Sequence, residues 1–258
     1  MSTERLSVEA VRGIARIAPG DDLIGILGDA LDAMDAPLAD GDVLVVAQKV
    51  VSRAEDRFVH LSTVTPSAQA EEMAVRCDKD PRLVQLILDE AQAVVRCEPG
   101  VMIVTHRTGH SMANAGIDRS NVAGDDDMVL LLPLDPDGWC QSARVALEQR
   151  FGVRLGVIMS DSFGRPWRLG TTGVAIGASR VPALLDVRGR ADLDGRVLEV
   201  TQIGIGDELA AAASLLMGQA DEGVPLCVVR GLKELGDGQA RDLIRPPQAD
   251  LFSAPGKS

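Results

Sequence analysis

The sequence predicts a fold of mixed α and β structure, with helices and strands interspersed along the chain. Short buried runs such as Val-Leu-Val-Val-Ala at residues 43–47 are typical of strands. Segments with an apolar residue every three or four positions, such as residues 23–34, are typical of amphipathic helices. No internal repeat or low-complexity linker divides the 258 residues, so the pattern indicates no domain boundary.

The elements can be placed in order from these patterns and from the turn residues between them. Gly20-Asp21-Asp22 precedes the first helix, and its acidic residues suit a helix N-terminus. Asp40-Gly41-Asp42 then turns the chain into the strand at 43–47, and a later turn is predicted at residues 135–138. The remaining predicted helices are 67–74, 81–92, 142–152 and 207–218, and the remaining predicted strands are 101–104, 129–134, 157–159 and 225–229.

Composition restricts the class of protein. A hydrophobic content of 46% is ample for a core, and a net charge of -12 disfavours a surface for nucleic acid or anionic membrane. Any phosphate site must therefore be local. The four cysteines form no Cys-x-x-Cys pair, and there is neither a signal peptide nor a long apolar span. These features predict reduced thiols and a cytoplasmic location.

A polar cluster follows the apolar run at residues 157–159. It reads Ser-Asp-Ser-Phe-Gly-Arg-Pro-Trp-Arg over residues 160–168, and we expect it to form a ligand-binding loop at a strand end. Asp161 and Ser162 offer hard oxygen ligands for Mg²⁺ or Mn²⁺. Arg165 and Arg168 could bind phosphate or carboxylate oxygens. The alternative is an Asp-Ser turn with surface arginines.

A second polar cluster occupies residues 113–121 and contains Asp118. It also follows a strand-like run, so the two clusters could place Asp118 and Asp161 on one cation, because Mg²⁺ commonly uses one or two carboxylates. The alternative is that Asn114 and Asn121 form Asx-turns and that Asp118 caps a helix.

Three familiar signatures are missing from the sequence. There is no P-loop and no Gly-x-Gly-x-x-Gly dinucleotide fingerprint. His106 and His110 have the spacing of helical zinc ligands, but Thr108-Gly109 between them favours a loop and argues against zinc. His60 is expected at a strand end, without a special role.

Several separated motifs together resemble one family, coenzyme F420-0:L-glutamate ligase. The resemblance covers nearly the whole chain. It rests on Gly41-Asp42-Val43-Leu44-Val45-Val46, Lys49-Val50-Val51-Ser52, residues 113–121, residues 160–168, Asp207-Glu208-Leu209-Ala210 and residues 217–225. It implies an α+β fold forming an intertwined homodimer, with the ligase domain at residues 1–245 and a tail at 246–258.

The resemblance also implies a reaction. The family adds L-glutamate to coenzyme F420-0, one or more residues with γ-linkage after the first, in coenzyme F420 biosynthesis. It uses GTP, forms GDP and requires Mg²⁺ or Mn²⁺, with K⁺ as a further candidate cation. Amide synthesis requires an activated carboxylate, so we expect an acyl phosphate made from the γ-phosphate of GTP. Positioning and charge neutralisation carry most of such a transfer, and no cysteine nucleophile is needed.

Site residues carry over from the family position by position. Asp118, Asp161 and Arg165 are the implied catalytic residues, and Asp118, Asp161, Ser162 and Gln219 are the implied metal ligands. The implied nucleotide contacts are Ile14, Ala15, Arg16, Ile17, Gln48, Lys49, Arg53, Asn121, Met217, Gly218, Gln219, Ala220, Asp221, Glu222, Gly223 and Val224.

Three of these positions depart from the family pattern. Gln48 stands where a small hydroxyl residue is usual, Arg53 where lysine is usual and Ser162 where threonine is usual. The first two bear on nucleotide preference, whereas a serine hydroxyl can still coordinate a hard cation.

Two other classes of protein fit the same motifs. One is a nucleotide-dependent carboxylate–amine ligase with another acceptor, and the other is a non-catalytic coenzyme-binding protein. Retention of both Asp118 and Asp161 favours catalysis, because a carrier would not need a paired metal cluster.

Overall fold

Helices and strands are interspersed along the whole chain, which confirms the predicted α+β class. The computed structural model describes residues 4–119, 126–232 and 235–249. Its helices are α1 (Leu23–Asp32), α2 (Gln48–Ala54), α3 (Ala68–Cys77), α4 (Pro81–Asp89), α5 (Pro136–Phe151) and α6 (Ile205–Met217). Its strands are β1 (Ser7–Val11), β2 (Val43–Ala47), β3 (Phe58–His60), β4 (Ala91–Glu98), β5 (Val101–His106), β6 (Ser111–Ala113), β7 (Met128–Leu130), β8 (Gly156–Arg165), β9 (Arg168–Ser179), β10 (Leu185–Asp186), β11 (Gln202–Ile203) and β12 (Leu226–Arg230).

A five-stranded mixed sheet forms the centre, in the order β1-β12-β2-β8-β9. The β2–β8 pair is parallel, and the other neighbours are antiparallel. Side chains of β2 alternate between two cores, because successive residues of a strand point to opposite faces. Leu44 and Val46 enter one core and Val43 and Val45 the other, so this strand is buried on both faces.

Helices cover both faces of this sheet. The core that contains Leu44 is completed by α1 and α5, and the opposite core by α6. The side chain of Asp22 caps α1 by accepting a hydrogen bond from the Gly25 N–H at 3.1 Å, as the acidic residues before this helix predicted. The sheet is therefore the middle layer between two layers of helices. The site described below lies at the carboxyl end of β2, where helices do not cover the strand ends.

A second unit of the fold packs around its own core. It contains α3, α4 and the three-stranded sheet β4-β5-β6. Ile87 of α4 and Met102 and Val104 of β5 are fully buried there. Asp80 caps α4, and Pro81 follows at its first position, where the missing N–H costs nothing. β6 continues from this unit toward β8, which links the two parts of the molecule.

Four sequence predictions of local structure are wrong in part. The predicted turn at 135–138 is the N-terminus of α5, because Asp135 caps the helix and a proline at its first position favours a helix start as much as a turn. The predicted helix 81–92 ends at Asp89, because residues from Ala91 pair with β5. Residues 160–165 continue β8 rather than forming a loop, because they pair with β9 up to Arg165 and Arg168. The strand predicted at 129–134 ends at Leu130, near Pro133, which lacks a donor for a sheet.

Other expectations have simpler outcomes. His60 lies at the end of β3, and the four cysteines are free thiols buried in the fold. No helix among the described residues is both long and apolar enough to cross a membrane. Within the predicted tail, Pro247–Ala249 forms a 3-10 turn, and residues 250–258 lie outside the described part. The boundary at 245 and the homodimer stay predictions.

Candidate active site

The parallel pair β2–β8 brings two predicted site segments together. Ala47, the last residue of β2, lies opposite Ser160 of β8. Residues from Asp161 on therefore extend β8 beyond the carboxyl end of β2, at the edge of the sheet where ligands commonly bind. α2 begins directly after Ala47, with Gln48 and Lys49 in its first turn. Asp161 is the next residue of β8. The strand register and the start of α2 bring Lys49 and Asp161 to one edge of the sheet, where the Lys49 charge acts on the Asp161 carboxylate.

Asp118 reaches the same place from the second unit of the fold. The 3-10 turn Asn114–Gly116 follows β6, and a Cβ on Gly116 would lie 2.8 Å from Leu132 Cδ1, so the turn requires glycine there. The backbone of Asp118 then exchanges two hydrogen bonds with Leu130, each at 2.9 Å. Thus anchored, the Asp118 carboxylate lies 2.5 Å from the ammonium of Lys49.

The segment after α6 forms another wall. Gly218 ends the helix with φ +72°, a conformation that strains other residues, and a Cβ there would collide with the Glu222 carboxylate. Glu222 accepts a hydrogen bond from the Ala220 N–H at 2.9 Å. Backbone N–H donors, that of Ala220 first, lower the pKa of Glu222. The segment is a tight loop organised around one carboxylate.

Two hydroxyl groups of β8 join this loop to the strand. Ser162 Oγ donates to Gln219 Oε1 at 2.6 Å, and Ser160 Oγ donates to Met217 Sδ at 3.8 Å. Both serines lie on one face of β8, whereas Asp161 points to the other face. Close approach of α6 to β9 is needed for this contact, and a Cβ on Gly173 would lie 2.4 Å from the Ala210 carbonyl oxygen.

These elements enclose one cavity of about 410 Å³. The predicted site residues that line it are Gln48, Lys49, Asp118, Asp161, Ser162, Met217, Gly218, Gln219, Ala220, Glu222, Gly223 and Val224. Asp221 belongs to the same loop but does not line the cavity. Gly173 and Ser214 line it without having been predicted, and no signal in the sequence marks them, because they enter only through the packing of α6 on β9.

The other predicted nucleotide residues lie at a second cavity, of about 560 Å³, that includes Arg16, Ile17 and Arg53. Arg53 Nε donates to the Ile17 carbonyl at 2.8 Å, and its guanidinium lies 5.6 Å from the centre of the Phe58 ring. Burial, followed by the charge of Arg16, lowers the pKa of Arg53. This region is therefore electropositive and partly dehydrated. Ile14 packs against the core beneath it.

Three predicted residues need separate mention. Ala15 is exposed beside Arg16. Asn121 lies outside the described residues. Arg165 lies at the exposed end of the β8–β9 hairpin, paired with Arg168, and does not line the cavity of Asp161. Its catalytic role stays a prediction.

Asp161 carries the most perturbed carboxylate of this cavity. Burial is the main cause, and with the negative charge of Asp118 it raises the pKa of Asp161 to about 6. Hydrogen bonds from the Ser162 N–H and the Gln48 side chain, and the charge of Lys49, lower this pKa in part. Gln48 is itself held by Ser52, whose Oγ donates to Gln48 Oε1 at 2.7 Å. The Gln48 amide is therefore free to donate toward Asp161, a contact that the sequence did not predict.

The donor set suits a hard divalent cation. Two carboxylates, a hydroxyl and an amide oxygen are the ligands that Mg²⁺ and Mn²⁺ accept, and Mg²⁺ commonly needs only one or two protein carboxylates. Among the described residues, no group of three or more His, Cys, Asp and Glu side chains could hold a metal ion. The close carboxylates of Asp118 and Asp161 repel each other, so a cation would stabilise the pair.

A perturbed carboxylate beside a second one, with a lysine at a strand edge, is typical of an enzyme site. The sequence model of the family described as F420-0:Gamma-glutamyl ligase matches residues 13–231, and the chain belongs to this family. The coenzyme F420:L-glutamate ligase of Methanopyrus kandleri is 46% identical over 252 residues, covering 96% of this chain and 97% of the relative. The proteins of that name from Methanothermobacter thermautotrophicus and Archaeoglobus fulgidus are 42% and 41% identical, over 96% of this chain in each case and 98% and 96% of the relatives.

Proposed function

We propose that the protein is a GTP-dependent, GDP-forming ligase that joins L-glutamate to coenzyme F420-0 through an acyl phosphate. Family membership and the names of its relatives support the acceptor and the amino acid. The main support for the location of the active site is that Lys49, Asp118, Asp161 and the loop after α6 line one cavity. We expect the coenzyme carboxylate to be activated there.

Helix α2 is suited to hold a chain of phosphates. Lys49 and Arg53 are four residues apart, so they lie on one face of the helix, about 6 Å apart along its axis. Lys49 lines the cavity of the two aspartates and Arg53 lines the cavity of Ile17. A nucleotide bound along this face would meet a cation at each end. Lys49 would neutralise the phosphate oxygens nearest the acceptor carboxylate.

Asp118 and Asp161 would hold one divalent cation, while Ser162 and Gln219, on the side of β8 that faces α6, offer oxygen ligands for a second metal. When bound, the cation supplies charge neutralisation for phosphoryl transfer. Ser162 and Gln219 are already in contact at 2.6 Å, which keeps both oxygen atoms at the cavity wall. Lys49 contacts Asp118 at 2.5 Å and would have to share that carboxylate with the cation.

The chemistry of activation is tested by following oxygen. With ¹⁸O in the acceptor carboxylate, the acyl phosphate predicts one labelled oxygen in the released phosphate, because the bridging oxygen leaves with phosphorus. Phosphate release should require GTP, divalent metal, F420-0 and glutamate together. Unlabelled phosphate from a reaction that forms amide would exclude the acyl phosphate.

The same assay distinguishes the rival classes. Mass spectrometry of the products identifies the acceptor and the number of glutamates added, and a carrier would give no product at all. A protein with Cys77, Cys97, Cys140 and Cys227 all replaced should keep the chemistry, because none of these buried thiols lines the cavity. Loss of activity in that variant, while folded, would indicate a covalent thiol route.

We also propose that the protein is a homodimer, as the resemblance implies. The end of the β8–β9 hairpin and the segment after β10 expose large apolar side chains that a partner subunit could cover. Trp167 is 85% exposed, and Leu169 and Leu193 are fully exposed. Sedimentation velocity should give twice the mass of the chain, and Trp167→Glu with Leu169→Glu should shift the equilibrium toward monomer.

A further inference from the structure

A third cavity, of about 640 Å³, lies beside the first and contains none of the implied nucleotide or metal residues. One wall is the sheet β4-β5-β6, which contributes Thr105 and Ser111 among others. The opposite wall is the β8–β9 hairpin, and the segment Leu243 to Arg245 closes one end. Cavities of 300 to 1,000 Å³, about the size of this one, commonly bind small organic ligands.

The lining combines apolar surfaces with a few polar groups. Phe163, Val174, Leu243 and Ile244 supply the apolar area. The polar groups are Gln92, Thr105, His110, Ser111, Asp207 and the cationic Arg245. Such a lining suits a flat heteroaromatic ring system, because its faces are apolar and its edges carry hydrogen-bonding groups.

Two of these positions are already fixed by other contacts. The Phe163 ring packs edge-on against His110, with ring centres 6.2 Å apart and an angle of 87° between the planes. Asp207 Oδ1 accepts a hydrogen bond from the Ala175 N–H at 3.0 Å, which leaves its second oxygen available to a ligand. The cavity walls are therefore held in place by the fold.

The register of the hairpin connects this cavity with the first one. Val174 lies opposite Asp161, so their side chains share one face of the hairpin. Phe163 is two residues beyond Asp161 on that face, at a distance of about 7 Å along the strand. A molecule lying along this face could place a ring between Phe163 and Val174 and extend a carboxylate into the first cavity, where Lys49 can neutralise its charge.

We propose that this third cavity binds the deazaflavin ring of the acceptor while the carboxylate arm reaches Lys49 in the first cavity. The inference rests on the proposed function for the identity of the ring. Arg245 at the rim is suited to the anionic part of the arm. The guanine base of GTP is the competing occupant, but most of the implied nucleotide residues that the structure describes line the other two cavities, and none of them lines this one.

The probe is a deazaflavin fragment that keeps the ring and a neutral polyol chain but lacks the carboxylate arm. Its binding is followed by its own fluorescence anisotropy, without nucleotide or glutamate. Val174→Trp fills the cavity and should weaken binding at least tenfold. Val75→Trp makes the same change on the exposed surface of α3, where the side chain is 85% exposed, and should bind as the unmodified protein does. Ser111→Trp, at an exposed position of β6 on the opposite wall, repeats the test should Val174→Trp fail to fold.

The outcomes separate this inference from the proposed function. Weaker ring binding in Val174→Trp or Ser111→Trp, with an unchanged KM for GTP, supports the ring site. Unaltered ring binding in both folded variants overturns it, as does displacement of the fragment by GTP alone or failure of the unmodified protein to bind the fragment. If the fragment binds as expected but no glutamylated product forms from F420-0, GTP, metal and glutamate, the proposed function fails and the ring site stands.

Discussion

Two half-buried carboxylates of this protein have opposite electrostatics. Glu90, between α4 and β4, meets Arg57 at 3.0 Å, Arg107 at 2.9 Å and His106 at 3.2 Å. Burial raises the pKa of Glu90, but these hydrogen bonds and charges outweigh burial and lower it to about 2. Asp161 is also half-buried, yet its pKa is raised to about 6.

The difference lies in the partners that the fold supplies. Glu90 has two guanidinium groups, so its negative charge is compensated within the protein. Asp161 has one lysine, shared with the neighbouring Asp118, whose charge further raises the Asp161 pKa. A carboxylate left under-compensated by its own protein costs stability and is a candidate for binding a cation or a substrate. The contrast supports a structural role for Glu90 and the proposed role of Asp161 in binding.

The largest expected effect follows from removing the under-compensated charges. Asp161→Asn and Asp118→Asn should each lower ligation at least about 10²-fold, because phosphate charge developing in the transition state would lose its stabilisation. Both proteins should stay folded, and Asp161→Asn should unfold at an equal or higher temperature. Asp194→Asn, at an exposed position, is the matched control. Near-normal turnover of both variants at saturating Mn²⁺ would reject the metal assignment.

The second effect falls on Glu90 and appears in stability instead of turnover. Glu90→Gln leaves Arg57 and Arg107 without their shared counter-charge. Breaking a fully buried pair costs about 3 to 5 kcal/mol, and this partly exposed cluster should cost somewhat less. Urea unfolding should show this loss, while the KM for each substrate stays unchanged below the unfolding temperature. Glu98→Gln removes an exposed partner of Arg96 and should cost less than about 1 kcal/mol. Equal stability of the two variants would contradict the comparison.

The sequence predicted the positions of Asp118 and Asp161 better than the surroundings of Glu90. The two aspartates were paired because each follows an apolar run and has oxygen-rich neighbours, and they do line one cavity. The pairing held although Asp161 lies inside β8 and not in a loop after it. Glu90 was placed inside a helix predicted to run to residue 92. Its three partners come from distant parts of the chain, and local pattern carries no information about them.

Sequence prediction of local structure succeeded where burial determines the structure and failed where pairing between strands determines it. Val43–Ala47 is apolar throughout, so a strand buried on both faces was the natural reading. Residues 160–165 are polar and contain glycine, yet they form a strand, because β9 offers a partner over its whole length. The third cavity depends on the same hairpin and on the register of Asp161 with Val174. It could not be predicted, because register is a property of the folded sheet.

The pH dependence of stability tests the role of the Glu90 charge directly. Because the folded pKa of Glu90 is depressed, its contribution to stability is present above about pH 4.5 and is lost as the pH falls toward about 2. A shift of this size corresponds to about 3 kcal/mol. The free energy of unfolding of the unmodified protein should therefore fall through this window more steeply than that of Glu90→Gln. Parallel curves for the two proteins would show that Glu90 is not the group that titrates.

The smallest effect concerns Lys49, which contacts Asp118 and whose charge also acts on Asp161. If Lys49 contacts nucleotide phosphates, Lys49→Ala should raise the KM for GTP about tenfold and change the KM for glutamate little, because a binding interaction lost from one substrate appears in that substrate's KM. Lys79→Ala makes the same change at the end of α3, outside the three cavities discussed, and is the control. If Lys49 instead serves only to offset the Asp118 charge, its loss should leave the KM for GTP unchanged. It should also decrease the divalent metal concentration needed for half-maximal activity, because Lys49 no longer competes with the cation for Asp118. An unchanged KM for GTP would therefore mean that Lys49 neutralises the carboxylates and does not bind the nucleotide. Lys49 would then have the same structural role beside Asp161 that Arg57 and Arg107 have beside Glu90.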